Sequence, residues 1–292
     1  MWSLLRTAFR EFREDECQVR AAALAYYTVF ALPPLLILLL QVVGAIWNPV
    51  EVQRVMETEF SSLVGSEGGK AIREMVTRAR QDGADGPLAT ILGTGALLFG
   101  AMGAFLQLQG ALNRAWDVKP DPRKGGIRNF IAKRILSAGM ILAVAFLLIV
   151  SLAMSALLGA LSASATFIPE PAMYAVDLLV TIGVITAFFA AIFRILPDAH
   201  IAWRDVWVGA FVTAILLGVG KFVIGLYLGR SAPGDAYGAA SVLAVILVWV
   251  YYAGMIVLFG AEFTQAWAAR NGSASRPEPG ASLVEHVEMV EG

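Results

Sequence analysis

The chain is poor in the side chains that most chemistry needs. Among its 292 residues it has one cysteine, Cys17, and two histidines, His200 and His286. One cysteine rules out an internal disulfide framework and a thiolate metal centre. Two histidines with no motif around them are too few for a histidine-built metal site. Charge is scarce as well: 15% of residues are Asp, Glu, Lys or Arg, and the net charge is −1. Soluble domains carry about a quarter charged residues. A near-neutral chain also lacks the bulk positive charge by which nucleic acid is held. No glycine loop followed by Lys-Ser/Thr is present, so an ATP-driven pump within the chain is not expected. The first sixteen residues, MWSLLRTAFREFREDE, are broken by charge every few positions and lack the apolar centre of a secretory signal.

What is abundant is apolar length, with 58% of residues hydrophobic. From Ala236 to Ala261 no side chain is charged, and the run ends on Glu262. At about 1.5 Å per residue it crosses a hydrocarbon core of about 30 Å. The fold class expected is all-α, a polytopic membrane protein with six transmembrane helices, an N-terminal amphipathic helix and a helical extracytoplasmic loop. The spans are read at 21–47, 87–113, 135–168, 172–193, 206–228 and 237–267, within a membrane domain covering 21–268. Residues 1–20 form a cytoplasmic helix, and 269–292, rich in Ser, Pro, Gly and Glu, read as a disordered tail.

In the first segment Trp2, Leu5, Phe9 and Phe12 recur at helical spacing, flanked by Arg6, Arg10 and Arg13. Such a helix either lies in the headgroup layer or packs on the bundle. Pro33-Pro34 stands mid-span and removes two amide donors, so a kink or a break is expected, serving as a structural bend or a hinge. Residues 48–86 hold two helical patterns, Val52–Val64 and Ala71–Ala79, separated by Gly65–Gly69. They either cap the bundle or meet an envelope protein through 52–79. Ala96, Gly100 and Ala104 make a small-residue seam in the second span. Trp203 and Trp207 read as interfacial anchors.

Basic residues set the orientation. Arg6 to Arg20, Arg114 to Arg134, Arg194, Arg204, Arg270 and Arg276 all fall on one side if both termini are cytoplasmic. The basic residues of the long outer loop are offset by seven acids, Glu51, Glu57, Glu59, Glu67, Glu74, Asp82 and Asp85.

Polar side chains inside the spans are the candidate site residues. At the helical rise Asp177 is about 9 Å deep in the fourth span and Lys221 about 12 Å deep in the fifth, from the same side. They form an ion pair, or Lys221 snorkels outward. Glu262 lies near the inner end of the last span, at the level of Gln107, Gln109, Asn113 and Arg114 on the second and Arg194 on the fourth. These residues either tie helix ends together or line a vestibule for a phosphate or carboxylate.

Three stretches together resemble the YihY/virulence factor BrkB family, once labelled ribonuclease BN: LAYYTVFALPPLL (24–36), QGALNRAW (109–116) and YGAASVLAVILVWVYYAGMIVLFGAEF (237–263). The resemblance covers residues 15 to 268. It implies a six-helix protein of the bacterial cytoplasmic membrane. The ribonuclease label finds no support in the residues, because phosphodiester cleavage needs clustered His and carboxylate ligands or a histidine acid/base pair. The expectation is therefore no enzyme, no cofactor and no nucleic acid. Membrane lipids are the expected partners, and oligomeric state is undetermined. Two functional classes stand. One is a transport-type protein handling a lipid or amphipathic anion through a polar cleft; the other is a non-catalytic scaffold of an envelope assembly.

Overall fold

The computed structural model describes residues 2–44, 50, 53, 54, 57, 58, 61, 73, 74, 77, 87–120, 170–231, 241–271, 276, 277 and 281–283. Among the described residues six helices dominate: α1 (Trp2–Glu14), α2 (Cys17–Gly44), α3 (Pro87–Ala115), α4 (Glu170–Ile195), α5 (Trp203–Ser231) and α6 (Ser241–Arg270). The described residues also form four short strands: β1 (Val118–Pro120), β2 (Ala199–His200), β3 (Arg276–Pro277) and β4 (Ala281–Leu283). The chain is an all-α polytopic membrane protein. Among the described residues three windows are long and apolar enough to cross a bilayer, Leu178–Ile195, Trp203–Val223 and Leu243–Arg270. The span expected at 135–168 lies outside the described residues.

The chain divides into two compact units. The first holds Met1–Asp15, Gln109–Ile215 and Val257–Gly292; the second holds Glu16–Leu108 and Leu216–Ile256.

In the first unit α5 and α6 meet through a reciprocal pair of small residues. A Cβ on Gly209 would collide with Thr264, and one on Gly260 would collide with Thr213. Each threonine turns its hydroxyl back on its own helix, Thr213 to the Gly209 carbonyl at 2.8 Å and Thr264 to the Gly260 carbonyl at 2.6 Å. The hydroxyls are thus satisfied without a cross-helix bond, and only glycine leaves room for them. Against the same part of α6 lies α1. Leu4 and Ala8 cluster with Phe263 and Ala266, joined by Val208, Val212, Phe259 and Trp267. Phe12 meets Phe259 edge-on at 6.1 Å. Of the four residues read as one face of α1, only Phe12 is buried; Trp2, Leu5 and Phe9 are exposed. The packed face is Leu4, Ala8 and Phe12, one position round the helix.

Two antiparallel two-stranded sheets close this unit. Val118 and Pro120 of β1 pair with Leu283 and Ala281 of β4, and Ala199 and His200 of β2 pair with Pro277 and Arg276 of β3. Of the segment 269–292, read as a disordered tail, the structure describes 269–271, 276, 277 and 281–283. α6 continues to Arg270, and five tail residues belong to strands. The backbone groups released where α3 and α4 end need partners, and the tail supplies them.

In the second unit α2 packs on α3 through Gly100, where a Cβ would fall 2.9 Å from that of Ala31, and through Gly103, which receives the ring of Tyr27. Gly103 belongs to the close approach along with Gly100 of the expected seam. Gly254 of α6 sits over Ala21 and Leu24, and Gly220 of α5 takes the ring of Tyr252. Val29 and Ile246 form a small core with Leu32 and Val250. α2 is one continuous helix from Cys17 to Gly44, so the chain does not break at Pro33-Pro34. Two missing donors free the carbonyls four residues back while the bonds on either side carry the helix through. The side chains of Pro33 and Pro34 lie outside the described residues. In the connection 48–86, the described residues of both expected helical patterns are helical. A bidentate pair joins the two, Arg73 Nε to Glu57 Oε1 at 2.8 Å and Arg73 Nη2 to Glu57 Oε2 at 2.6 Å. That pairing holds the Glu57 carboxyl below its ordinary range.

Candidate polar site of the first unit

The end of α3 sets the site. Gln109 and Asn113 stand four residues apart, hence on one face. The end of α4 answers it. Pro197 follows the last turn and cannot continue the helix, and the chain turns so that Asp198 faces α3. Asp198 accepts from Asn113 Nδ2 at 3.0 Å and from Gln109 Nε2 at 3.3 Å. Its backbone N–H donates to Asn113 Oδ1 at 2.7 Å. Asn113 therefore uses both ends of its amide on one residue, which fixes the amide orientation. All three side chains are buried. A carboxylate taken from water is tolerable only when its oxygens are met by donors, and two side-chain amides provide them here.

Arg114, the next residue round, points elsewhere. Its Nε donates to Asp15 Oδ1 at 2.9 Å, in the turn after α1. Burial pushes the Asp15 carboxyl up, the nearby Arg114 charge pulls it down, and burial prevails. Asp117 follows in the left-handed conformation, with φ of 52°, and reverses the chain into β1.

Among the described residues, further buried polar atoms without hydrogen-bond partners include Trp116 Nε1, Arg194 Nε and both carboxylate oxygens of Asp205. Trp116 is 2% exposed and Asp205 fully buried. Asp205 lies in the first turn of α5, where the positive end of the helix dipole favours an anion. Trp116 and Arg194 each lie within about one helical turn, in sequence, of the Asn113–Asp198 clamp. Unused N–H donors suit an acceptor ligand, an oxyanion above all, and the unused Asp205 oxygens suit a donor. Among the described residues no three His, Cys, Asp or Glu side chains gather as metal ligands.

The expected site residues fall in both units. Gln109 and Asn113 come together, on Asp198. Arg114 joins Asp15, and Arg194 and buried Glu262 belong to the same unit. Gln107 and Lys221 belong to the second unit. Lys221 is exposed among exposed Val219, Phe222 and Val223, next to the end of the apolar window Trp203–Val223. The side chain of Asp177 lies outside the described residues. Asp15, Trp116, Asp198 and Asp205 escaped the sequence reading. Each sits at a helix end, where a polar group is ordinarily solvated, and only the proline stop before Asp198 hinted at a turn folded inward.

The virulence factor BrkB family model matches residues 8–283. The chain belongs to that family. Among its relatives are UPF0761 membrane proteins of Verminephrobacter eiseniae, 29% identical over 266 residues, with 90% of this chain and 62% of that one covered. The UPF0761 membrane protein of Delftia acidovorans is 29% identical over 267 residues, covering 90% and 62%. That of Stenotrophomonas maltophilia is 29% identical over 273 residues, covering 90% and 60%. The chain thus spans about three fifths of the length of these curated relatives. No solved structure matches it. For a BrkB-family protein the match takes in α3 and α4, and so every member of the clamp and both unused donors.

Proposed function

We propose that this BrkB-family chain is a six-span protein of the bacterial cytoplasmic membrane, with both termini inside, that binds and moves a lipid or an amphipathic anion. The observation that carries the reading is the pair of buried donors, Trp116 Nε1 and Arg194 Nε, which hydrogen-bond nothing although burial makes an unmet donor costly. An anionic headgroup or carboxylate meets both. The reading assigns no catalytic step to any side chain. A scaffold role is the second reading. It is favoured by the Glu57–Arg73 pair, which holds the two outer-loop segments together as a surface for an envelope partner.

Reconstitution into liposomes with fluorescent lipid and anion panels tests the first reading. Transport above protein-free vesicles is expected for the native chain, with a loss in Arg194→Gln, Trp116→Phe and Glu262→Ala. Lys221→Ala, at the lipid face, serves as the control. Rates equal to protein-free vesicles across both panels would remove transport and leave the scaffold.

A further inference from the structure

α1 carries three stripes. At about 100° per residue, Leu4, Ala8 and Phe12 fall on one line, and these are its buried residues. Leu5, Phe9 and Trp2 fall on a second line about 90° further round. They are 38%, 56% and 82% exposed. Arg13, Arg6 and Arg10 form the third line immediately beyond, all exposed. Glu11, Glu14, Ser3 and Thr7 take the remaining arc, so the acids lie away from the exposed apolar line.

The first stripe is accounted for by α6 and α5. The second is not. Its level in the membrane follows from the helix that holds it. The apolar window of α6 covers Leu243–Arg270, 28 residues. At about 1.5 Å per residue this exceeds a hydrocarbon core of about 30 Å by about 12 Å. A core entered at Leu243 is left near Glu262, between the Phe259 and Trp267 that hold α1. On the same unit α5 exposes Trp203 and Trp207, and Val208 and Val212 beside them belong to the cluster under α1.

We infer that the Trp2–Leu5–Phe9 stripe docks on the anionic face of the bilayer that the chain's own helices cross. The apolar side chains enter the ends of the acyl chains, and the arginine line beside them takes phosphate-bearing headgroups. Charge sorting favours lipid over a protein partner: cations stand on the edge next to the apolar line and acids on the far side. Arg10 shares its guanidinium with Glu11 at 2.8 Å and Glu14 at 3.7 Å, so Arg6 and Arg13 contribute most. The inference is independent of transport, since a scaffold would seat itself the same way.

The test uses the full chain with Cys17→Ser and an environment-sensitive fluorophore on Phe9→Cys or, for comparison, Thr7→Cys. The vesicles are phosphatidylcholine alone or phosphatidylcholine with phosphatidylglycerol. Position 9 is expected to emit as in an apolar medium, to be shielded from iodide in the anionic vesicles, and to be quenched by shallow nitroxide lipid. Position 7 stays open to iodide in both. Arg6→Gln and Arg13→Gln each weaken the shielding about fivefold in the anionic vesicles alone. Bromolipid quenching of the unlabelled chain should fall in Trp2→Phe, which guards against a disturbance by the label. Equal iodide access at positions 7 and 9, no dependence on phosphatidylglycerol, or self-quenching that tracks protein density would each overturn the inference, the last by giving the stripe to a second copy.

Discussion

Asn113 shows how much one amide can hold. It meets the Asp198 carboxylate with its donor end and the Asp198 backbone with its acceptor end. Asn113→Leu keeps the volume but strips one donor from the buried Asp198 carboxylate and the acceptor from its backbone N–H. It should lower stability by about 2–3 kcal/mol, the cost of hydrogen bonds to a charged group left unmet. Thermal unfolding in detergent measures this. Asp198→Asn, which removes the charge but keeps an acceptor, should cost less. At Asp15 the prediction concerns pH. Its folded pKa is raised above the ordinary 3.8, burial outweighing Arg114. The folded state then holds the proton more tightly than the unfolded state. The Asp15 contribution to stability is therefore fully present below 3.8 and is lost as pH rises through the higher folded value. Midpoints recorded across that acid window should fall with rising pH by less in Asp15→Asn than in the native chain.

At the scale of the element, glycine separates contact from open surface. Gly209 and Gly260 lie where α5 and α6 press threonines together, whereas Gly110 on α3 has nothing within 4 Å of where a Cβ would stand. Gly209→Ala should cost about 1–3 kcal/mol by overpacking. Gly110→Ala should gain up to about 1 kcal/mol from helix propensity. Unfolding midpoints of the two variants that shift in the same direction would sink the assignment of this crossing. These helices announce themselves in the chain: long uncharged runs between turn residues have few other ways to satisfy their backbone in lipid. α6 follows a run that carries the pattern without interruption, while Asp177 and Lys221 stand within those of α4 and α5. Their exact partners do not announce themselves. Gly209 and Gly218 look alike as residues, and only packing against Thr264 distinguishes the first.

For the whole molecule the governing fact is insertion in a bilayer. The proposed orientation expects reporters fused after Trp47 or after Glu170 to face away from the cytosol and reporters at either terminus to face it. A reporter after Trp47 found in the cytosol would reverse the assignment from its first span. The described tail strands, β3 and β4, are paired with β2 and β1. Truncation after Asn271 removes β3 and β4, leaving the edges of β1 and β2 bare. Protease cleavage near Lys119 and Arg204 should then accelerate.

Local composition determined the membrane class, the helical content and the family likeness, because a charge-free run long enough to cross hydrocarbon carries that requirement within itself. The amphipathic character of α1 was likewise open to reading, though not which of its apolar lines would be covered. That choice belonged to Phe259, Phe263 and Ala266, some 250 positions along the chain. The polar pairings were also tertiary decisions. Asn113 and Asp198 are separated by 85 positions and Arg114 and Asp15 by 99, and nothing short-range tells a buried carboxylate which amide or guanidinium will reach it. Hydrogen bonding of buried charge is settled by whichever donors folding brings near, and periodicity carries no record of that.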